Sequence, residues 1–369
     1  MTQRVKNNPT SSRVAVMSKV GLAIVGCGTI SQLNVPGYLE HPNCEIVALC
    51  DINEDRAIAK AKEWKINPRI YTNYDSVLAD EVVDAVELLS PTHLHSSQII
   101  SGLNAGKHVS CQKPIATSMD EAKEIRKAVE NNEKIFRVTE NFLYYPPITK
   151  AKELIEDDAI GTPSLVRIRT IRGFGMETKI RPEKDAYVWR RDPSKNPGGM
   201  LYDDGWHKYA TAISWVGGVE KVTSMVTRTD DFLADTPSAA VMKVKDKDCL
   251  ITIDYSSANE MPIKGKYYSA DEFFEIIGPK GTIWVTRCTG ELLDMPPVIL
   301  VKGDETISYS VPADWIEGFK GAARAFIDAI TENKSLDMDI DFSSQVLEVA
   351  LAMYESSDKE ATVYIKESY

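Results

Sequence analysis

The sequence predicts an α/β protein of two domains: an N-terminal doubly wound Rossmann domain and a C-terminal α+β domain with an open, mainly antiparallel sheet. The length of 369 residues is the first reason, since it is about two and a half times that of a typical domain. Up to about residue 140, apolar runs alternate with stretches of helical periodicity, which is typical of a parallel sheet covered on both faces. Beyond that point, apolar and polar residues alternate in short runs, which indicates strands with one polar face.

The first predicted domain, residues 19–140, contains strands that are almost entirely apolar. Val20–Val25 is the clearest, because this unbroken apolar run ends in a glycine, Gly26. Right-handed crossovers between such buried strands give a doubly wound sheet. Further strands are predicted at residues 45–50, 84–89, 107–110 and 135–139, and helices at residues 30–40, 54–64, 94–105 and 120–131, the last preceded by a capping box of Ser118 and Glu121.

The second predicted domain, residues 141–369, has strands in which one face is polar. In residues 164–172, Val166 and Ile168 alternate with Arg167 and Arg169. An open sheet of such strands leaves one face free, and we expect that face to form a homo-oligomer contact. Other strands are predicted at residues 219–228, 239–244, 249–256, 273–277, 282–286 and 307–311, with a hairpin turn at 278–281, and helices at residues 147–156, 200–216, 315–331 and 342–357.

Charge and composition exclude several classes of function. Forty-three basic against 54 acidic residues give a net charge of −11, and so acidic a surface repels nucleic acid and anionic membranes. No apolar stretch is long enough to cross a membrane. Residues 1–18 lack the apolar segment of a secretory signal, so we expect a flexible N-terminal extension. The six cysteines show no CxxC spacing, which disfavours a thiolate metal site and favours a reducing, cytoplasmic environment.

The first strand is followed by a glycine-rich turn, Gly26-Cys27-Gly28-Thr29-Ile30-Ser31. A dinucleotide fingerprint needs one glycine for the tight turn and a second where a pyrophosphate approaches the backbone. Ser31 takes the place of the third glycine, and it is small enough to keep helix and strand close. Because the turn also opens a helix, whose N-terminal amides suit a phosphate, we predict a dinucleotide site here.

Asp51 follows the second strand, 23 residues beyond Gly28. A carboxylate at this place can accept hydrogen bonds from ribose hydroxyls, although an acidic helix N-terminus is the alternative. Glu54 and Asp55 add negative charge and no arginine immediately follows Asp51, so a 2′-phosphate would be repelled. The sequence therefore favours NAD over NADP.

Two more polar turns follow predicted strands, where ligands bind in doubly wound sheets. These are Ser90-Pro91-Thr92-His93-Leu94-His95 and Cys111-Gln112-Lys113-Pro114. Held between a strand end and a proline, Lys113 can point its amine into the crevice, although a solvated loop lysine is the plain alternative. His93 and His95 have no further close metal ligands in sequence, and we interpret them as supports of the cofactor loop.

Together these motifs resemble the glucose–fructose oxidoreductase and inositol dehydrogenase (Gfo/Idh/MocA) superfamily. The resemblance continues through residues 105–109 and the glycine pair of Gly198-Gly199-Met200-Leu201-Tyr202-Asp203-Asp204-Gly205-Trp206-His207. It implies a nicotinamide-dependent oxidoreductase whose sugar or cyclitol substrate lies between the domains, with Lys113, Asp203 and His207 facing the nicotinamide. The expected cofactor-binding residues are Gly26, Gly28, Thr29, Ile30, Asp51, Ser90, Pro91, Thr92, His95, Gln112, Lys113, Trp189 and Arg190.

One residue departs from the family pattern, in which a glutamate usually precedes the lysine. Here Gln112 precedes Lys113. A neutral amide stabilises an ammonium less than a carboxylate does, so the change either favours proton transfer through Lys113 or indicates a different pocket.

The expected reaction removes a proton from a hydroxyl while its carbon loses hydride. An imidazole titrates near neutral pH, whereas an amine must first be shifted far from its ordinary range. We therefore take His207 as the general base and Lys113 as a donor to the reacting oxygen. Asp203 and His207 are four residues apart, so on one helix the carboxylate would orient the ring, or else bind a substrate hydroxyl. A metal site of Asp203, Asp204 and His207 is a weaker alternative, and no metal is expected.

The substrate is expected to contact residues at the domain junction and on the second domain. A long loop, residues 173–198, is rich in charged and aromatic residues and predicts a lid; it includes Phe174, Lys179, Arg181, Tyr187, Trp189, Arg190 and Arg191. The stretch from Glu140 to Tyr145, at the domain junction, is expected to line the substrate site as well. The expected substrate-binding residues are Asn141, Tyr144, Tyr145, Asp203, Trp206 and His207.

The leading hypothesis is an NAD-dependent dehydrogenase that oxidises a secondary hydroxyl, with a preference for the 3-hydroxyl of a glucose unit in a glycoside. The superfamily that the sequence resembles includes glycoside 3-dehydrogenases, and Trp189, Trp206, Tyr144 and Tyr145 offer apolar area for an aglycone. The alternatives are an inositol-type dehydrogenase, a catalytically silent NAD-binding sensor, and an NADP-dependent diol dehydrogenase that Asp51 disfavours.

Overall fold

This computed structural model describes residues 19–175, 180, 184–227 and 235–366. The predicted extension at residues 1–18, the lid residues Lys179 and Arg181, and Arg228 at the end of one predicted strand lie outside the described residues. In the part of the chain that is described, no helix is both long and apolar enough to cross a membrane. All six cysteines are buried and unpaired.

The N-terminal part is a Rossmann domain, as predicted. Its six strands lie in the order β3-β2-β1-β4-β5-β6, and every neighbouring pair is parallel. The strands are β1 (Val20–Val25), β2 (Cys44–Cys50), β3 (Arg69–Tyr71), β4 (Ala85–Leu88), β5 (His108–Gln112) and β6 (Phe136–Thr139), and the helices are α1 (Ser31–Leu39), α2 (Glu54–Trp64), α3 (Tyr74–Leu78), α4 (His95–Asn104) and α5 (Met119–Glu130). The order reverses between β1 and β4, which places a ligand crevice at their carboxyl ends.

The C-terminal part is a nine-stranded, mostly antiparallel sheet with helices on one side. The strand order is β16-β15-β13-β12-β7-β10-β9-β8-β17, in which β7 and β10 are parallel. Its strands are β7 (Leu165–Phe174), β8 (Val219–Val226), β9 (Ser238–Val244), β10 (Leu250–Pro262), β12 (Ala270–Gly278), β13 (Gly281–Val285), β15 (Val298–Lys302), β16 (Glu305–Tyr309) and β17 (Val363–Tyr364), with a small separate pair, β11 (Lys264–Gly265) and β14 (Gly290–Glu291). The predicted hairpin is confirmed, since Gly278 pairs with Gly281.

Six helices belong to this half of the described chain. They are α6 (Pro146–Glu156), α7 (Lys184–Arg190), α8 (Met200–Asp203), α9 (Gly205–Val216), α10 (Ile316–Glu332) and α11 (Ile340–Lys359). The expectation that residues 173–198 form a structureless loop is therefore wrong where α7 lies.

The helix predicted at residues 200–216 is divided at Asp204. The amide of His207 donates to the Asp204 carbonyl three residues earlier, whereas the Asp204 amide still donates four residues back to Met200. A glycine inside a helix is unfavourable, and Gly205 lies at the break. Its missing side chain leaves room for Tyr209, whose hydroxyl would be 2.6 Å from an added Cβ.

Candidate active site

The turn after β1 is shaped for a phosphate. Gly26 has a φ of +101°, and an added Cβ would lie 2.8 Å from the carbonyl carbon and oxygen of Leu89, so only glycine fits. Gly28, in contrast, has nothing within 4 Å of the place where a Cβ would stand. The amides of Gly28, Thr29 and Ile30 have no partner among the described residues. Open space and free donors at the start of α1 fit the pyrophosphate of a dinucleotide.

Asp51 lies at the carboxyl end of β2, beside this turn. Its Oδ2 accepts the amide of Cys27 at 2.9 Å, and its Oδ1 accepts the amide of Asn53 at 2.9 Å. Arg56, from the first turns of α2, also donates to Oδ1 at 3.2 Å. These bonds hold a buried carboxylate at the edge of the crevice, which fits a ribose of the dinucleotide. Arg56 was not expected here, because the sequence shows it five residues beyond Asp51.

The turn after β4 supports the site through His95. Ser90, Pro91 and Thr92 connect β4 to α4, and His95 is buried beneath them. Its Nδ1 lies 2.7 Å from the Pro114 carbonyl oxygen and its Nε2 lies 2.9 Å from that of Ser90. Both ring nitrogens thus lie against backbone carbonyl oxygens, which fits the role of His95 as a support of the cofactor loop.

Gln112 contacts the backbone rather than the amine of the lysine after it. Its Nε2 donates to Asn34 on α1 at 3.3 Å, and its Oε1 accepts the Lys113 amide at 2.9 Å. The neutral side chain therefore braces the Lys113 backbone against α1.

The Lys113 amine meets Asp203 across the domain junction, as expected. Its Nζ donates to Oδ1 of Asp203 at 2.6 Å and to the Asp203 carbonyl at 2.9 Å. Arg190, at the end of α7, donates from Nε to Oδ2 of the same carboxylate at 2.9 Å. Burial alone would raise the pKa of Asp203, but the Lys113 ammonium and the Arg190 guanidinium hold it far below the ordinary carboxyl value.

His207 is oriented by Glu140 and not by Asp203, so that part of the sequence-based hypothesis is wrong. The His207 Nδ1 lies 2.7 and 2.9 Å from the two carboxylate oxygens of Glu140. The Asp203 carboxylate is instead bound by Lys113 and Arg190. The His207 Nε2 has no hydrogen-bond partner among the described residues. The expected cluster of three groups therefore forms only in part.

A buried network fixes the helix that carries His207. Lys208 is fully buried and donates to Asp204 at 2.8 Å and to Glu272 at 2.6 Å. Tyr255 donates to Asp204 at 2.9 Å. Burial would lower the pKa of Lys208, but the two carboxylates raise it, so the amine stays an ammonium.

Several residues expected to bind substrate lie elsewhere. Trp206 and Tyr145 are fully buried in the hydrophobic core, and the Tyr145 hydroxyl donates to the Ala313 carbonyl. Tyr144 packs against α10 at Gly321. These three expectations are wrong, because the apolar surface of these side chains is needed to join helices. Asn141 is also buried, and its Nδ2 has no hydrogen-bond partner in the described part of the chain.

Trp189 and Tyr268 supply the aromatic surface beside the lysine–aspartate pair. The Trp189 ring lies under the Arg190 guanidinium, 4.3 Å from its carbon, and 6.0 Å from the ring of His93. Burial raises the pKa of Tyr268 to about 12, and its phenol interacts electrostatically with Arg190 and Asp203. Tyr268 was not recognised from the sequence, because it lies in a short polar turn before β12 with no motif.

The part of the chain that the structure describes contains no group of three or more histidine, cysteine or acidic residues able to hold a metal ion. The weaker alternative of a metal site at Asp203, Asp204 and His207 finds no support in that part, because the Asp203 and Asp204 carboxylates bind Lys113, Arg190, Lys208 and Tyr255.

Comparison with known proteins matches both halves of the chain to one family. Residues 20–140 match the Gfo/Idh/MocA model described as an oxidoreductase family with an NAD-binding Rossmann fold, and residues 152–365 match the model of its C-terminal alpha/beta domain. An uncharacterized protein of Saccharomyces cerevisiae is 30% identical over 337 residues, which is 87% of this chain and 90% of that protein.

Two sugar dehydrogenases are also similar. D-apiose dehydrogenase of Paraburkholderia graminis is 25% identical over 261 residues, covering 71% of this chain and 66% of that enzyme. The structure of levoglucosan dehydrogenase in complex with NADH and levoglucosan has a similar fold, with a TM-score of 0.79 and 20% identity over 95% of this chain and 100% of that one.

Proposed function

The chain belongs to the Gfo/Idh/MocA oxidoreductase family, with an NAD-binding Rossmann domain, and from this premise we propose that it is a dehydrogenase of a secondary hydroxyl on a sugar or cyclitol. The proposal rests on the pairing of Lys113 with Asp203 and on His207, four residues further along the chain, whose Nε2 has no hydrogen-bond partner among the described residues. A donor and a proton acceptor at one crevice are what oxidation of an alcohol requires.

NAD supplies the hydride acceptor when it is bound. The Nε2 of His207 takes the proton of the substrate hydroxyl, because its Nδ1 is occupied by Glu140. The Lys113 ammonium has three donors and uses two on Asp203, which leaves one for the reacting oxygen. Asp203 remains ionised and keeps the ammonium in place. Lys113 thus acts as the donor and His207 as the base.

The substrate class rests on relatives and on the remaining aromatic surface. D-apiose dehydrogenase and levoglucosan dehydrogenase carry sugar substrates in their names, and an aromatic face such as that of Trp189 stacks on the C–H surface of a sugar. The expected preference for the 3-hydroxyl of a glucoside loses most of its support, since three of the four aromatic residues invoked for an aglycone lie in the core or against α10. We therefore propose free or substituted pyranoses and cyclitols as the class.

A panel of substrates tests this function. The purified protein is mixed with NAD and, in separate wells, with free hexoses, pentoses, methyl glucosides and inositols, and the absorbance of reduced nicotinamide is followed. We expect turnover with at least one polyol ring, and much slower turnover of the same compound by His207→Ala. Tight NAD binding without turnover on any member would contradict the proposal and favour a sensor.

A further inference from the structure

Glu140 is a buried carboxylate to which sequence reasoning gave no individual role. It follows β6 directly and is fully buried. Its Oε1 accepts the Phe142 amide at 2.9 Å, and both oxygens lie within 2.9 Å of the His207 Nδ1. A buried carboxylate is strongly destabilising unless it is paired and hydrogen-bonded. Among the described residues, its hydrogen-bond partners are one ring nitrogen of His207 and the Phe142 amide.

We propose that Glu140 is a positioning residue that fixes the tautomer of His207 and so makes Nε2 the proton acceptor. An ionised carboxylate only accepts hydrogen bonds, so the His207 Nδ1 must carry the proton that lies between them. The neutral imidazole then has its lone pair on Nε2, which is the nitrogen left unbonded. The catalytic consequence of this inference rests on the proposed function, whereas the tautomer of His207 does not depend on that function.

The ring is also held against rotation. Phe142 stacks on His207 with ring centroids 4.5 Å apart and an interplanar angle of 16°. The buried Lys208 ammonium lies 5.1 Å from the centroid of the same Phe142 ring, which itself is fully buried. A flip of the His207 ring would move Nδ1 away from Glu140 and leave the buried Glu140 carboxylate without its imidazole partner. The stacking and the carboxylate therefore select one orientation.

The carboxylate also favours the state that follows proton transfer. When Nε2 takes a proton from the substrate hydroxyl, the ring becomes an imidazolium, and the negative charge of Glu140 stabilises it. The net transfer is from the hydroxyl oxygen to Nε2, and the Nδ1 proton stays in place.

The test replaces Glu140 by glutamine, which keeps the shape and removes the charge. We expect Glu140→Gln to lower kcat by about 10²–10⁴-fold with KM nearly unchanged, because Glu140 does not touch the substrate. The acid limb of the kcat/KM profile should move to lower pH, since the imidazolium loses its counter-charge. Glu140→Asp, which restores the charge on a shorter chain, should recover part of the rate.

Glu87→Gln is the matched control. Glu87 is equally buried, but it pairs with Tyr38 and Thr139 beneath the Rossmann sheet. The same loss of buried charge there should lower the melting temperature and leave the acid limb in place. An unmoved acid limb in Glu140→Gln, or the same movement in Glu87→Gln, would overturn the proposal.

Nitrogen NMR separates this proposal from the proposed function. In protein labelled with ¹⁵N-histidine, only five histidines contribute, and His207→Ala identifies the signal of His207. We expect the proton on Nδ1, with its resonance altered in Glu140→Gln and unaltered in Glu87→Gln. A proton on Nε2 would refute the role of Glu140 even if a substrate is found. If the proton is found on Nδ1 but no substrate is turned over, the role of Glu140 stands and the proposed dehydrogenase activity is contradicted.

Discussion

His207 is the residue on which the proposed chemistry depends, since its Nε2, which has no hydrogen-bond partner among the described residues, is the proposed base. We expect His207→Ala to lower turnover by about 10²–10⁴-fold while NAD binding, measured by calorimetry, stays as in the wild type. Asp203 stays ionised throughout the ordinary pH range, so an acid-side loss of rate near neutral pH would not belong to it. Wild-type turnover of His207→Ala would remove this residue from the mechanism.

Asp51 is the residue expected to set the choice between NAD and NADP. A hydrogen bond to a charged group contributes about 1.5–3 kcal/mol, so Asp51→Ala should raise the KM for NAD by about 10–100-fold. The Arg56 side chain, which donates to Asp51 in the wild type, would lose this partner and become available to bind a 2′-phosphate. The ratio of kcat/KM for NADP to kcat/KM for NAD should therefore rise. Tighter NAD binding in this variant would contradict the ribose role.

The partner of His207 shows why some contacts could not be predicted from the sequence. Asp203 is four positions away, and spacing on an ideal helix favoured it. The actual partner, Glu140, is 67 positions away and reaches the ring only because β6 ends beside α9. Local spacing predicts neighbours on one element, whereas a contact between two elements depends on how they pack.

The elements of the Rossmann domain were largely predictable, because its strands are long and buried on both faces. β1 is entirely buried and was found at its observed bounds, Val20–Val25. β3 was missed because it has three residues, all at least partly exposed. In the second domain, the sequence analysis did not predict β11, β14, β15 and β17. Three of them have only two residues each, and β15 (Val298–Lys302) follows a proline-rich stretch.

At the start of β5, His108 makes the stability of the sheet depend on pH. Its Nδ1 accepts the amide of Ile135, which leads into β6, and burial with the nearby Lys134 lowers the pKa of His108 to about 4. The unfolded chain, with a histidine pKa of about 6.5, binds more protons than the fold between about pH 6.5 and pH 4. The free energy of unfolding therefore falls as the pH is lowered through this window.

We expect the melting temperature to be a few degrees lower at about pH 5 than at about pH 7. His108→Asn keeps an acceptor for the Ile135 amide and removes the titration, so its melting temperature should change less over that range. Burial lowers the pKa of His93 and His95 as well, so part of the slope should remain in the variant. An unchanged slope would show that His108 is not the source.

Across the whole molecule, the two halves of the chain share one core. α10, from the C-terminal half, lies on α1 so closely that an added Cβ on Gly37 would be 2.6 Å from the Cβ of Ala323. The guanidinium of the buried Arg137 on β6 donates to the Ala322 carbonyl of α10. The Lys113–Asp203 pair joins the same halves at the crevice. Movement between the halves would therefore disturb both the core and the site.

The outer face of the nine-stranded sheet is the surface on which we expect a second copy of the chain to bind. Met225, Val241 and Leu250 lie on this face, on the adjacent strands β8, β9 and β10, and are 81%, 45% and 41% exposed. Exposed apolar side chains on the open face of a sheet fit an interface between copies. We expect the wild type to be a dimer or larger by light scattering coupled to size exclusion.

A charge on that face should separate the copies. Val241→Glu places a carboxylate at the middle of β9, where a second copy would bury it, and we expect a monomer with an unchanged circular dichroism spectrum. Val82→Glu is the matched control, because Val82 is 43% exposed and lies on the Rossmann domain, away from the sheet, so the same substitution there should leave the oligomer intact. A wild type that is already monomeric, or a Val241→Glu variant of unchanged size, would show that the copies do not meet on this face.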